Sequence, residues 1–129
     1  MDKTLLIFKS ISDKNRLRIF SALLVHDELC ACQITEFLKV AGATASRHLS
    51  LMVSAGVLKN RKQGRWIYFR LNKDDSSIKQ LSMWVKQHLE ESTQVKKDSK
   101  ALKKILLIPC EELSQKQRET VRLLLESQR

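Results

Sequence analysis

Apolar and polar positions along this chain follow two different periods, and the changes of period divide it into elements. Leu5, Leu6, Ile7 and Phe8 make a short apolar run that predicts a first short helix. Asp13 precedes a second helix carrying Leu17, Ile19, Phe20, Leu23 and Leu24, and its carboxylate suits the cap. A third helix is expected over residues 32–40, with Ile34, Phe37 and Leu38 inward. Ala41 and Gly42 are expected to turn the chain into a fourth helix over residues 43–54. Its inward stripe is Ala45, Leu49, Met52 and Val53, and Gly56 stops it. The period then falls to two. Residues 57–61 and 66–71 predict strands, the second alternating Trp66, Tyr68 and Arg70 with Ile67, Phe69 and Leu71. Gln63 and Gly64 are expected to form the hairpin turn between them. Helical spacing returns from Asp75 or Ser76 to about Glu91, through Ile78, Leu81, Val85 and Leu89.

The last stretch, residues 92–129, places Lys96, Lys97, Lys100, Lys103 and Lys104 around a strip of Leu102, Ile105, Leu106 and Ile108. Ser114 is the expected cap of a final helix ending near Ser127. Val121, Leu123, Leu124 and Leu125 favour an extra helical pair, packed on the domain or on a second copy, over disorder. The three glycines (Gly42, Gly56 and Gly64) and the single Pro109 are few breakers for such a chain, so it should be mostly helical, each glycine marking a turn.

Charge sharpens this picture. The net charge of +10 and pI of about 9.8 favour an anionic partner, nucleic acid before a membrane surface. Between Lys39 and Lys73 the charges are one-sided: Arg47, Lys59, Arg61, Lys62, Arg65 and Arg70 occur with no acidic residue among them. A merely soluble surface mixes signs. No signal peptide or membrane span is visible, since the apolar runs are too short to cross a bilayer. Three cysteines, two of them only two positions apart, are not a disulfide framework. A reducing, cytoplasmic location is therefore expected, with thiols that are free or ligate something.

The basic segment reads as a helix–turn–helix followed by a hairpin. In that arrangement the second helix enters the major groove of double-stranded DNA. Thr44, Ser46, Arg47 and Ser50 fall on the side of the fourth helix opposite its apolar stripe and suit hydrogen bonding to bases. His48 is either a phosphate contact or a satisfied histidine at the helix edge. Lys62, Gln63 and Arg65 at the hairpin tip are expected to reach phosphates or the minor groove.

Three runs carry a specific resemblance: Glu28 to Cys32 (ELCAC), Ser46 to Leu49 (SRHL), and Arg61 to Trp66 (RKQGRW) continuing to Tyr68 and Arg70. Over residues 3–91 the chain resembles the arsenic-responsive ArsR/SmtB family of winged-helix repressors. The resemblance implies a mainly α fold with a small β-hairpin wing, a winged helix-turn-helix, here followed by an extra helical C-terminal tail. It implies a homodimer bound to a dyad-symmetric operator and released by an inducer ion. The first helix and the long helix at 75–91 would form the dimer interface. The expected division is 1–91 for DNA binding and dimerisation and 92–129 for the extension.

Cys30 and Cys32 are the candidate inducer ligands. Thiolates suit thiophilic ions, and helix N-termini favour the ligating form. Residues two apart on a regular helix do not face each other, so the start of the third helix must be non-helical or unwind to grip one ion. The expected mechanism is that ligation distorts this start and moves the third helix against the fourth. The other reading makes both cysteines small buried hydrophobes. The family's arsenic site often has a third cysteine three positions beyond the second, where this chain has Thr35. Cys110 either completes a three-sulfur site, by folding back or crossing the dimer, or is an inert tail residue.

The resemblance points to As(III) or Sb(III) as inducer, ahead of zinc or cadmium, with no cofactor otherwise required. Zinc-responsive relatives bind metal between their long helices. Asp75, His88 and Glu91 match that spacing, but Ser77 replaces the first histidine, so this is the weaker metal site. A thiol-redox switch of the same fold is a further alternative. An enzyme is not expected: the chain has no CxxC near a βαβ unit, no phosphate-binding glycine loop and no nucleophile–base–acid set.

Overall fold

A computed structural model describes residues 1–128; Arg129, the last residue of the expected extension, lies outside the described residues. The elements are α1 (Asp2–Ile11), α2 (Lys14–Val25), β1 (Leu29–Cys30), α3 (Ala31–Leu38), α4 (Gly42–Ser54), β2 (Leu58–Gln63), β3 (Trp66–Leu71), α5 (Ser76–Leu89), α6 (Thr93–Ile105) and α7 (Cys110–Ser127). The fold is the mainly helical winged helix-turn-helix that the periodicity and the resemblance imply, with helices continuing to Ser127.

Helix starts follow local chemistry. Asp13 caps α2, its carboxylate accepting from the Arg16 N–H at 3.0 Å, and Asp75 caps α5 through the Ser77 N–H at 2.9 Å. Gly56 closes α4 with φ 76, and the Val57 N–H reaches back to the Met52 carbonyl at 3.0 Å. The core lies where α2 crosses the sheet and the other helices. Ile19, Phe20 and Leu23 are buried there with Leu29, Ile34, Leu49, Met52, Val57 and Ile78. Each such side chain contributes about 1.5–3 kcal/mol by leaving water.

Several expectations are corrected. The sheet has three strands in the order β1-β3-β2, because Leu29 and Cys30 pair with Phe69 and Tyr68 on the outer side of β3. Two residues are too few to show a period, so β1 left no trace in the pattern. α3 begins at Ala31 and ends at Leu38, shorter at its end than the expected 32–40. The helix–turn–helix corner does not bend at Gly42, which already lies in α4; Lys39 takes the left-handed conformation with φ 56. The two central residues of the hairpin are Gly64 and Arg65, since Gln63 pairs with Trp66. Gly64, at φ 61, sits where a two-residue hairpin turn demands a positive φ. Ser114 is interior to α7, which starts four residues earlier behind Pro109. Glu111 and Glu112 then occupy the first turn, where the helix dipole favours acids.

The two tail helices pack back on the same chain. α6 lies on α2 and α3, with Leu102 and Ile105 buried and Asp98 meeting Arg18 of α2 through two hydrogen bonds of 2.9 Å. α7 lies against α3 and buries Leu113. Leu5, Leu6 and Phe8 of α1 and Met83 and Trp84 of α5 are exposed. No helix among the described residues is long and apolar enough to cross a membrane.

Candidate metal centre and nucleic-acid interface

Cys30 belongs to two elements at once. It ends β1, paired with Tyr68 of the wing, and it also caps α3 in an extended conformation, with φ −73 and ψ 150. Its N–H donates to Gln33 Oε1 at 2.8 Å, fixing the entry into the helix. Cys32 follows inside the first turn of α3. Because Cys30 is extended rather than helical, the two sulfurs already meet: Cys32 Sγ donates to Cys30 Sγ at 3.2 Å. Of the two arrangements expected for the start of α3, non-helical or unwound on binding, the first is present, since Cys30 is already extended.

The tail supplies a third sulfur. Cys110 is the first residue of α7, and its Sγ joins the other two so that all three lie within 4.8 Å of one another. Cys30 and Cys32 are buried and Cys110 half-buried, and none is in a disulfide. A metal–sulfur bond of about 2.3 Å places neighbouring sulfurs roughly 3.7 Å apart. The cluster is thus assembled to within about an ångström of a ligating geometry. Among the described residues it is the one group of this kind.

The electrostatics favour one thiolate in the cluster. The S–H of Cys32 stabilises charge on Cys30, and the Cys30 thiol is pulled down to about 6 despite its burial. Cys32, holding the shared proton and buried, is pushed up. Cys110 is also raised, chiefly by burial. The N-terminal ends of α3 and α7 both meet at the sulfurs, and their dipoles favour negative charge there.

The expected DNA-reading side chains lie on one helix and one hairpin tip. Ser46, Arg47 and Ser50 of α4 are exposed and Thr44 is half-buried, opposite the buried Ala45, Leu49 and Met52. His48 is 14% exposed; its Nδ1 lies 3.2 Å from Arg16 Nη1 and 3.9 Å from Asp13 Oδ2. Lys62, Gln63 and Arg65 are exposed at the wing tip. Arg65 spans the Trp66 ring and pairs with Glu111 at 2.9 Å. Behind the tip, Arg61 stacks on Tyr68 and forms a two-pronged pair with Glu28 at 2.6 and 2.7 Å. That guanidinium lowers the Glu28 carboxyl.

The weaker set is not gathered within this chain. Asp75 caps α5 and pairs with Lys3, while His88 near the other end stacks on Trp84 with ring centroids 4.1 Å apart. Glu91 pairs with Lys96 at 3.2 Å.

Sequence reasoning missed Gln33, the Glu28–Arg61 clamp and Glu111. A capping-box signal (a residue bonding three positions back) was available for Gln33. The other two depend on contacts between segments far apart in the chain.

A family model described as bacterial regulatory protein, arsR family, matches residues 13–60. The chain is 40% identical over 75 residues to a cadmium resistance transcriptional regulatory protein CadC homolog from Staphylococcus aureus. That match covers 58% of this chain and 60% of the relative, so the chain spans less than two thirds of that regulator's length. It is 36% identical over 88 residues to the arsenic resistance transcriptional regulator ArsR2 of Pseudomonas putida, covering 68% of this chain and 71% of the relative. Its fold is similar to the homodimeric winged helix-turn-helix DNA-binding domain Mb0332 from Mycobacterium bovis. There the TM-score is 0.59 at 24% identity, covering 71% of this chain and 86% of that one.

Proposed function

Since the chain belongs to the ArsR family of bacterial regulatory proteins, we propose that it is a cytoplasmic transcriptional repressor released from double-stranded operator DNA by As(III) or Sb(III). The observation that carries this reading is the cluster of three sulfurs within 4.8 Å, seated where the wing meets the helix–turn–helix. The donor set fits such a guest. It is all sulfur and numbers three, which suits a trigonal, three-bonded metalloid. Structural zinc sites usually take four ligands.

In this reading residues 1–91 bind DNA and dimerise, and residues 92–129 bring Cys110 to the site. Thr44, Ser46, Arg47 and Ser50 read base edges. Lys62, Gln63 and Arg65 hold phosphates, and His48 steadies the rear of α4 through Arg16. The exposed apolar faces of α1 and α5 are the surface for a second copy, so two α4 helices meet two half-sites. No catalytic step is assigned.

Coupling follows from position. Cys30 belongs at once to the sheet that carries the wing and to the cap of α3. Drawing three sulfurs onto one guest therefore shifts β3 relative to α3, and with them the wing relative to α4. A coupling of about 1.4 kcal/mol already weakens operator binding tenfold.

Cadmium is the second reading, supported by the similarity to the CadC homologue and by the softness of the donors. Oxidation of the Cys30 thiolate is the third. Operator binding titrated with arsenite, antimonyl tartrate, cadmium, zinc and hydrogen peroxide separates them. Arsenite should lower affinity at least tenfold in the native protein and leave Cys30→Ser and Cys32→Ser bound. Equal release of both variants would defeat the proposal. A peroxide-driven loss restored by dithiothreitol would favour the redox reading.

A further inference from the structure

This inference rests on the reading that the three thiols capture an ion, and it concerns how capture reaches the DNA surface. The residue after Cys110 is Glu111, whose Oε1 accepts a hydrogen bond from Arg65 Nη2 at 2.9 Å. Arg65 is the wing-tip cation assigned above to a phosphate, and the Glu111 carboxylate occupies it as a phosphate oxygen would. Further along α7, Lys116 Nζ donates to Glu36 Oε1 at 2.8 Å. Gln117 Nε2 donates to the Cys32 carbonyl at 2.9 Å and to Glu36 Oε2 at 3.2 Å. Beyond these, Val121 and Leu124 line an open cleft of about 780 Å³ whose other wall includes Val40, Ala41 and Gly42. Gly42 opens α4, and the N-terminal residues of a recognition helix are those that contact bases. One helix thus carries a sulfur ligand, holds a wing cation and flanks the front of the reading helix.

We propose that α7 is an internal competitor for DNA, with Glu111 as its phosphate mimic, and that ion capture through Cys110 locks it in place. The Glu111–Arg65 pair is exposed on both sides. Unaided, such a pair is weak and yields to a polyanion. Once Cys110 is tied to Cys30 and Cys32, Glu111 cannot leave, and its effective concentration at Arg65 rises. Linkage makes the effect reciprocal: DNA that takes Arg65 weakens ion binding by the same factor.

The test compares the full-length native protein with Glu111→Gln and Glu112→Gln. The two variants remove the same charge from adjacent residues, but only the first touches the wing. Binding to a duplex selected by the protein from a random pool is measured over a range of KCl concentrations, with and without sodium arsenite. Each lost phosphate contact lowers the logarithmic salt slope by about 0.9, so losing Arg65 in both protomers of the bound dimer lowers it by about 1.8. The native protein and Glu112→Gln should lose that much on adding arsenite. Glu111→Gln should keep it and bind, when loaded, about three- to fivefold more tightly than the loaded native protein. Identical slopes and affinities for the native protein and Glu111→Gln in arsenite would overturn the proposal. Equal effects of the two variants would overturn it too, because general charge would then suffice. If arsenite leaves the native protein's affinity unchanged, the ion-release reading itself falls and takes this one with it. If arsenite releases the native protein and Glu111→Gln alike, only the competitor role falls.

Discussion

α6 and α7 follow one another in the tail and pack on the same side of the molecule, yet they are held by different forces. α6 inserts Leu102 and Ile105 into the core and sets the Asp98 carboxylate against Arg18, with Gln94 Nε2 donating at 3.0 Å to the Oδ1 that Arg18 Nη2 also reaches. The Arg18 guanidinium also donates to the Phe37 carbonyl at 3.2 Å and lies over the Phe37 ring. Little of this pair reaches water. α7 buries Leu113, and its remaining attachments are the half-buried Gln117 and the pairs of Lys116 and Arg65 with carboxylates near the surface. Buried, fully hydrogen-bonded charges fail badly when one partner is removed, whereas exposed pairs contribute little. The contrast teaches that α6 is fastened through the core, whereas α7 is held by Leu113 and by pairs near the surface. Cys110 stands at the start of the more lightly fastened helix.

The strongest way to break this comparison is Asp98→Ala. It strands Arg18 without its carboxylate, and urea denaturation should show a loss of about 3–5 kcal/mol for the whole fold. A loss under 1 kcal/mol would mean that α6 is no better anchored than α7. Next is Leu113→Ala, expected to cost about 2 kcal/mol or more at a buried leucine. Hydrogen exchange should place that loss in α7 alone, with α6 still protected.

A pH titration sharpens the role of the sulfur end. Arsenous acid, As(OH)₃, condenses with three neutral thiols and releases three waters, with no net proton. With Cys30 a thiolate above about 6, one proton must be taken up for the same product. Arsenite affinity should therefore fall as pH rises above about 6, by at most tenfold per unit, or about 1.4 kcal/mol. Cadmium displaces the two remaining thiol protons, so its affinity must rise over the same range. Isothermal calorimetry in two buffers reads the sign directly. The smallest effect expected is that of Lys116→Ala, which should leave overall stability unchanged because its ammonium is exposed. Its sign of success is faster exchange of α7 amides without a change in melting temperature.

Much of the helix–turn–helix and its wing is legible in the sequence. Its elements are long enough to show a period, and Asp13, Asp75 and Gly56 punctuate them by local chemistry. The tail was harder for physical reasons. Pro109 and two acidic residues start α7 ahead of Ser114, because a proline can precede a helix without an N–H to satisfy. Cys110 left two alternatives because its neighbours lie far away in sequence, and only folding brings them near. β1 was hidden for a related reason: a two-residue strand has no pattern of its own and exists only by pairing with the distant β3. That strand decided the chemistry, since an extended Cys30 is what lets adjacent sulfurs meet without unwinding a helix.

Lys39 carries a last consequence. A side chain at φ 56 stores about 1 kcal/mol that glycine would not. Replacing it by glycine would relax the corner between α3 and α4, and would also strip a cation from the segment leading into α4. Tighter folding and weaker attraction to a polyanion would arrive together, so at this bend robustness and grip pull in opposite directions.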